Sequence, residues 1–262
     1  MEFGLEGKTL LVTGSTQGVG AAIALEAGRR GAGAVAIVGR TAAKGESVCR
    51  ELEGLGASAR FFASDLSKPD APRELFDSVV GWCGTVDCLV NSAGVTTRAS
   101  VADGTLEQWE AIVALNVRAP FFLMQAFIRH CLEVGRPGGI VNISSMNAHC
   151  GIPELAIYSA TKGALVTLTK NAANAHLSDR IRVNGINMGW SPTDAERDMQ
   201  SRQLGRGDGW LAEAAKSQPL GRLLEPEEVA RLAVYLLSDY SGLQTGTCID
   251  LEQAIVGSWK AG

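Results

Sequence analysis

No stretch of the 262-residue sequence approaches eighteen consecutive apolar residues, so nothing reads as a membrane-spanning run. Runs of Lys and Arg are missing too: 24 basic against 28 acidic side chains leave a formal net charge of -4 and a pI near 5.5. That balance gives no electrostatic footprint for nucleic acid or for an anionic membrane surface. The start, "MEFGLEGKTLLVTG", lacks the basic flank and small-residue cleavage site of a signal peptide and enters a strand pattern at once. Histidine is scarce, and the three present, His130, His149 and His176, are scattered. The six cysteines, at 49, 83, 88, 131, 150 and 248, form no CxxC pair and have no histidine at metal spacing, which argues against a metal site. They are expected as reduced thiols in a cytoplasmic protein. There is also no repeat, low-complexity linker or composition break, so one domain over 1–262 is expected, and 46% hydrophobic content can supply its core. What these absences leave is a protein whose partner is a small soluble molecule.

Seven short apolar segments run through the chain: "TLLVTG", "AVAIVG", "ARFFAS", "VDCLVNSAG", "GGIVNISS", "IRVNGINMG" and "GTCIDL". Helical patterns separate them, which predicts an α/β fold with a doubly wound parallel seven-stranded sheet and helices on both faces. Their continuous apolar character suits strands covered on both sides. Residues 190–222, "WSPTDAERDMQSRQLGRGDGWLAEAAKSQPLGR", break the rhythm: they are polar, bear glycines and follow a strand directly. Such an insertion is a candidate substrate lid.

After the first strand comes "TGSTQGVG", residues 13–20, before a helical run. Gly14 permits a tight turn, Gly18 a close backbone approach to a pyrophosphate, and Gly20 the packing of helix on sheet. Much later, "AIYSATKGAL" sets Tyr158 four positions before Lys162 among small residues, which puts the phenol and the ammonium on one helix face.

Taken together, TGxxxGxG at 13–20, "NSAG" at 91–94, Ser145 after "IVNIS" and YxxxK at 158–162 resemble the short-chain dehydrogenase/reductase family, in order and spacing over nearly the whole chain. The resemblance implies a Rossmann-type single domain and an NAD(P)-dependent oxidoreductase that interconverts an alcohol and a carbonyl by hydride transfer. It implies that Tyr158 is the general acid/base, that Lys162 lowers the phenol pKa and holds the nicotinamide ribose, and that Ser145 bonds the substrate oxygen, Ser144 being its structural neighbour. One ammonium about 4 Å from a phenol supplies about 4 kcal/mol at an effective dielectric of 20, enough on that arithmetic to bring the phenol to pH 7 to 8. Asn116 matches the family's fourth catalytic position, whose carbonyl holds a relay water. Pro120 has no N–H to bond that carbonyl four residues back, so the helix is expected to bend near 116–120 and leave it free.

The same resemblance places the cofactor against Gly14, Thr16, Gln17, Gly18, Val19 and Gly20, with Asp65 and Leu66 at the adenine. Asn91, Ala93 and Gly94 form the turn beside it; Tyr158 and Lys162 meet the ribose; Gly189 and Thr193 grip the carboxamide. Three positions depart from the family pattern: Ser92 for a second asparagine, Met188 for a proline that would stiffen the loop, and Leu251 with Glu252 where paired glycines are common. The tail "LEQAIVGSWKAG" is therefore expected to line the site or a subunit contact differently.

An NAD site calls for an acidic residue at the end of the second strand, yet none occurs between Val35 and Lys44, and Arg40 stands there instead. A guanidinium suits a 2′-phosphate or can stack on adenine, so NADP is preferred over NAD. The family's other NADP sign, a basic residue before the second glycine, is absent because Gln17 occupies that place. For the substrate, Ser145, Asn147, Tyr158 and Trp190, with His149, Glu154 and Trp210 near them, suit a sugar or polyol. A 3-oxoacyl or other ketone reductase is the alternative, and a non-catalytic dinucleotide-binding scaffold or redox sensor is a third reading. The helices carrying Asn116 and Tyr158 offer apolar surface ("PFFLMQAFI", "ALVTLTK") for a homotetramer or homodimer.

Overall fold

The computed structural model describes residues 4–257, so the last five residues of the tail lie outside the described residues. The chain alternates strand and helix: β1 (Thr9–Val12), α1 (Gly18–Arg29), β2 (Ala34–Gly39), α2 (Ala42–Gly54), β3 (Ser58–Ala63), α3 (Ala71–Cys83) and β4 (Cys88–Asn91) form the first half. In the second half come α4 (Leu106–Val113), α5 (Ala119–Val134), β5 (Gly138–Ser145), α6 (Ala156–Ala175) and β6 (Ile181–Met188). They are followed by α7 (Asp194–Asp198), α8 (Trp210–Lys216), α9 (Pro226–Leu237) and β7 (Cys248–Leu251). All seven strands pair in parallel in the order β3-β2-β1-β4-β5-β6-β7. Each apolar segment of the sequence thus becomes one strand.

Side-chain alternation divides the core. Leu10 and Val12 of β1 pack with α1, α2 and α9 on one face, through Ile23, Leu52 and Val234; Leu11 points to the other, against Phe76 of α3 and Phe127 of α5. Both faces are covered, which is why the strands carry little polar alternation. Local chemistry sets the helix ends: Thr105 and Gln108 form a capping box at α4, and Glu225 with Glu228 does the same at α9, where Pro226 needs no hydrogen-bond partner. Gly135 ends α5 in the left-handed conformation, φ 66°.

The sheet reverses its winding between β1 and β4, so the connections leaving these strands diverge and open a crevice at their carboxyl ends. Residues 106–134 form one continuous helical stretch, long and apolar enough by length and composition to cross a membrane, with mean hydropathy 1.6. Half of its apolar window is buried inside the protein, as in a core helix.

Candidate active site

At the first edge of the crevice, the turn after β1 is laced to its neighbours. Ser15 N–H donates to the Val38 carbonyl (3.1 Å), and Thr13 Oγ1 accepts from the N–H groups of Ser92 and Ala93 (3.1 and 3.2 Å). Gly14 has φ 64°, and a Cβ there would lie 2.8 Å from Ala93 Cα; a Cβ on Gly20 would lie 2.4 Å from the Gly14 carbonyl oxygen. Only glycine fits either place. Gln17, the residue before α1, makes no side-chain cap, so the first N–H groups of that 12-residue helix have no side-chain cap at the turn. This backbone cradle fits a pyrophosphate. Thr193 lies over Gly18, where an added Cβ would be 3.3 Å from its methyl group, while Val19 and Leu66 are buried and serve packing. Exposed Asp65 accepts from Ser67 N–H and Oγ (3.1 and 2.7 Å), and this, with Lys68 and Arg40 nearby, holds its carboxyl below the usual range.

Ser145 ends β5, while Tyr158 and Lys162 occupy one face of α6 with 8% and 6% exposure. The Ser145 hydroxyl lies near enough to the phenol to lower its pKa, and Asn147 donates to the same hydroxyl through its N–H and Nδ2, both at 3.2 Å. Lys162 Nζ donates to the Ile143 carbonyl at 2.8 Å and stands 5.6 Å from the centre of the Tyr158 ring. Ser144 turns away to the Lys162 carbonyl (3.3 Å).

The protonation balance differs from the sequence arithmetic. Burial pushes Tyr158 up to about 12; the Ser145 hydroxyl offsets part of this and the Glu196 carboxylate adds to it. Burial also pushes Lys162 down to about 8. The Lys162 amine is bonded to a backbone carbonyl and is itself pushed toward its neutral form, so it does not by itself bring the phenol near neutrality.

Asn116 is 1% exposed, and its side chain is fully engaged: Oδ1 accepts from Val95 N–H (2.9 Å), and Nδ2 donates to the Val95 carbonyl (2.9 Å) and Thr161 Oγ1 (3.2 Å). It ties the loop after β4, with Gly94, to α6. Where the sequence predicts a bend near 116–120, the helix carries a π turn over Ala114–Arg118, in which Ala119 N–H reaches back five residues to the Ala114 carbonyl. Asn91 donates to Asn142 Oδ1 (2.8 Å), leaving its own buried Oδ1 without a partner.

Beyond β6 the departures from the family pattern compensate one another. Met188 does not stiffen the loop, yet Gly189 N–H donates to the Leu251 carbonyl (3.0 Å) and Trp190 N–H to Glu252 Oε2 (2.9 Å). Where the family's proline is missing, the tail thus holds the loop by these two hydrogen bonds. Residues 190–222 form an excursion closed at its base by Leu224 N–H on the Trp190 carbonyl (3.0 Å). Within it, the Trp190 and Trp210 rings lie 5.9 Å apart, and Trp190 Nε1 donates to Glu196 (2.8 Å). A cavity of about 420 Å³ opens against them, lined also by Arg206, Glu213 and Ser217. His149 turns from the crevice to Asp250 (2.9 Å), which Asn187 also holds (2.7 Å), and Glu154 is exposed.

Sequence reading assigned no role to Thr13, Asn142, Thr161, Glu196 or Asp250, which hold the site together; all five lie within quoted segments but no spacing signal marks their contacts. Comparison with known proteins agrees with the geometry. The family profile described as enoyl-(acyl carrier protein) reductase matches residues 14–252. The chain is 34% identical over 244 residues to the NADP-dependent (R)-specific alcohol dehydrogenase of Lentilactobacillus kefiri, covering 92% of this chain and 94% of that one. It is 32% identical to the 3-oxoacyl-(acyl-carrier-protein) reductase of Thermotoga maritima, over 96% and 99%. Among solved structures, L-sorbose reductase of Gluconobacter frateurii, complexed with NADPH and L-sorbose, superposes with a TM-score of 0.92 at 28% identity, covering 99% and 100% of the two chains. The chain belongs to the short-chain dehydrogenase/reductase family and is an oxidoreductase acting on alcohol and carbonyl groups.

Proposed function

We propose that this protein interconverts an alcohol and a carbonyl on a sugar or polyol, with NADP preferred over NAD. The observation that carries the reading is the convergence of Ser145, Tyr158 and Lys162 beside a glycine turn whose uncapped helix N-terminus suits an anionic ligand. When bound, the dinucleotide accepts or supplies the hydride at its nicotinamide ring. Tyr158 exchanges the proton with the substrate oxygen, and Ser145, oriented by Asn147, donates a hydrogen bond to that oxygen. Lys162 stands beside the phenol and Gly94, where it can hold a ribose hydroxyl. Asn116 keeps the Gly94 loop and α6 in register.

The tryptophan pair and the cavity beside it favour a polyhydroxylated substrate, since aromatic faces take sugar C–H groups while Arg206 and Glu213 can meet hydroxyls. The relative that holds NADPH and L-sorbose supports the same reading. Reduction of a 3-oxoacyl group is the second reading, favoured by the Thermotoga relative. Exposed Phe121 and Phe122, in edge contact 5.2 Å apart on α5, support self-association, read as a homotetramer. Six free thiols suit a reducing, cytoplasmic setting.

One design tests the activity: sugars, polyols, simple alcohols and 3-oxoacyl thioesters with each dinucleotide, followed at the reduced-nicotinamide absorbance. Turnover confined to the thioesters would overturn the sugar reading. Light scattering at micromolar protein tests assembly, and a monomer would refute it.

A further inference from the structure

The family's cation before the second glycine is missing from this sequence, where Gln17 stands. In the folded protein that glutamine is not idle. Its Oε1 accepts a hydrogen bond from Lys44 Nζ, reaching across from the first turn of α2. The glycine turn is packed against the end of β2: Val38 N–H donates to Ser15 Oγ (2.9 Å), and a Cβ on Gly39 would lie 2.4 Å from the Thr16 methyl group. Arg40 follows Gly39 directly and is close enough to Asp65 to lower its pKa. Two cations from β2 and α2 therefore flank the turn.

Neither cation is held in an ion pair, although Asp65 lies near enough to Arg40 to interact with it. Among the described residues, Lys44 and Arg40 make no ion pair with a carboxylate, and both side chains are exposed. The carboxylates close by are accounted for: Asp65 is engaged by Ser67, and Glu46, two positions after Lys44 on α2, lies on a different helix face. A neutral amide is the partner that best leaves an ammonium its full charge while fixing its place. A phosphate monoester carries nearly two negative charges at pH 7, which two cations match.

We propose that Lys44, held by Gln17, forms with Arg40 a two-cation clamp for the 2′-phosphate of NADP, so that Lys44 replaces from α2 the cation that the glycine turn lacks. This rests on the NADP reading above. Arg40 alone can serve either phosphate pairing or adenine stacking; Lys44 has no stacking surface, so its place beside Gln17 favours the phosphate.

The test is binding without turnover. 2′,5′-ADP and 5′-ADP are titrated calorimetrically into wild type, Lys44→Gln, Gln17→Ala and Gln17→Glu at two salt concentrations. Lys44→Gln, one bond shorter, keeps an N–H donor toward Gln17 but loses charge; it should weaken 2′,5′-ADP about tenfold or more, as for a charged hydrogen bond, and change 5′-ADP less than about twofold. Its 2′,5′-ADP affinity should also depend less on salt. Gln17→Ala should cost less than Lys44→Gln, whereas Gln17→Glu should cost more, because a carboxylate would pair with Lys44 and face the phosphate. A wild type that prefers 2′,5′-ADP and a Lys44→Gln variant that keeps the full preference would overturn the clamp alone. A wild type that binds the two nucleotides equally would overturn the NADP reading and the clamp with it.

Discussion

Bringing the Tyr158 phenol from about 12 to a working value near 8 takes about 5.5 kcal/mol, at about 1.4 kcal/mol for each pH unit. A full ammonium 5.6 Å away, the distance of Lys162 Nζ from the ring centre, would supply about 3 kcal/mol at an effective dielectric of 20, but Lys162, with its own pKa near 8, carries that charge only below about pH 8. At least the remaining 2.5 kcal/mol or so would come from the oxidised dinucleotide, whose nicotinamide is cationic, when it is bound. Ionisation of Tyr158 is therefore expected to depend on cofactor. The assay is tyrosinate ultraviolet absorbance against pH, wild type minus Tyr158→Phe, which cancels Tyr235 and Tyr240. Without cofactor the difference spectrum should show no ionisation below about pH 10; with the oxidised dinucleotide it should titrate about 2 units lower. Ionisation near pH 8 in the free protein would refute the reasoning, since it would mean that burial costs far less than these figures require. Tyr158→Phe should also lose at least about a hundredfold in kcat while still binding the dinucleotide.

Lys162 gives a second, independent signature. Its native pKa near 8 lies below the ordinary 10.5, so between those values the unfolded chain holds the proton and the native one does not, and stability from this group rises with pH. Tyr158 acts in the opposite sense above about pH 10, and the buried thiols Cys88 and Cys131 do so above about pH 9, so only a difference isolates the lysine. Denaturant midpoints of wild type and Lys162→Met, compared from about pH 7.5 to about pH 10, should shift in favour of wild type by about 2–3 kcal/mol; a constant difference would deny the depressed pKa. Gly20→Ala should cost about 1–3 kcal/mol of stability and at least about tenfold in dinucleotide affinity, because its Cβ meets the Gly14 carbonyl at 2.4 Å; unchanged affinity would show that the turn can shift freely. Pro120→Ala supplies an N–H four residues after Asn116 and should convert the π turn at Ala114–Arg118 to α-helix, lowering kcat with dinucleotide affinity within about twofold. An unchanged kcat would mean that packing sets the π turn and that the proline contributes nothing to the chemistry.

Much of the fold could be read along the chain because its signals are local. A parallel strand covered on both faces is an apolar run of four to eight residues in a row, and all seven such runs became strands. The glycine turn and the Tyr158–Lys162 spacing are likewise set by backbone sterics and helix period within one short segment. What depended on tertiary structure joins residues far apart. Glu252 pins Trp190 across 62 positions, Asn116 holds Val95 across 21, and Lys44 reaches Gln17 across 27. Such pairs follow from strand order and crossover, which no local pattern encodes. The pKa values of Tyr158 and Lys162 belong to the same class. An i,i+4 pair looks alike in any helix, but the cost of charging it depends on which elements exclude water, and here α6 sits under the loop after β5 and the excursion after β6. The spacing said which groups meet; burial decided which of them carries charge.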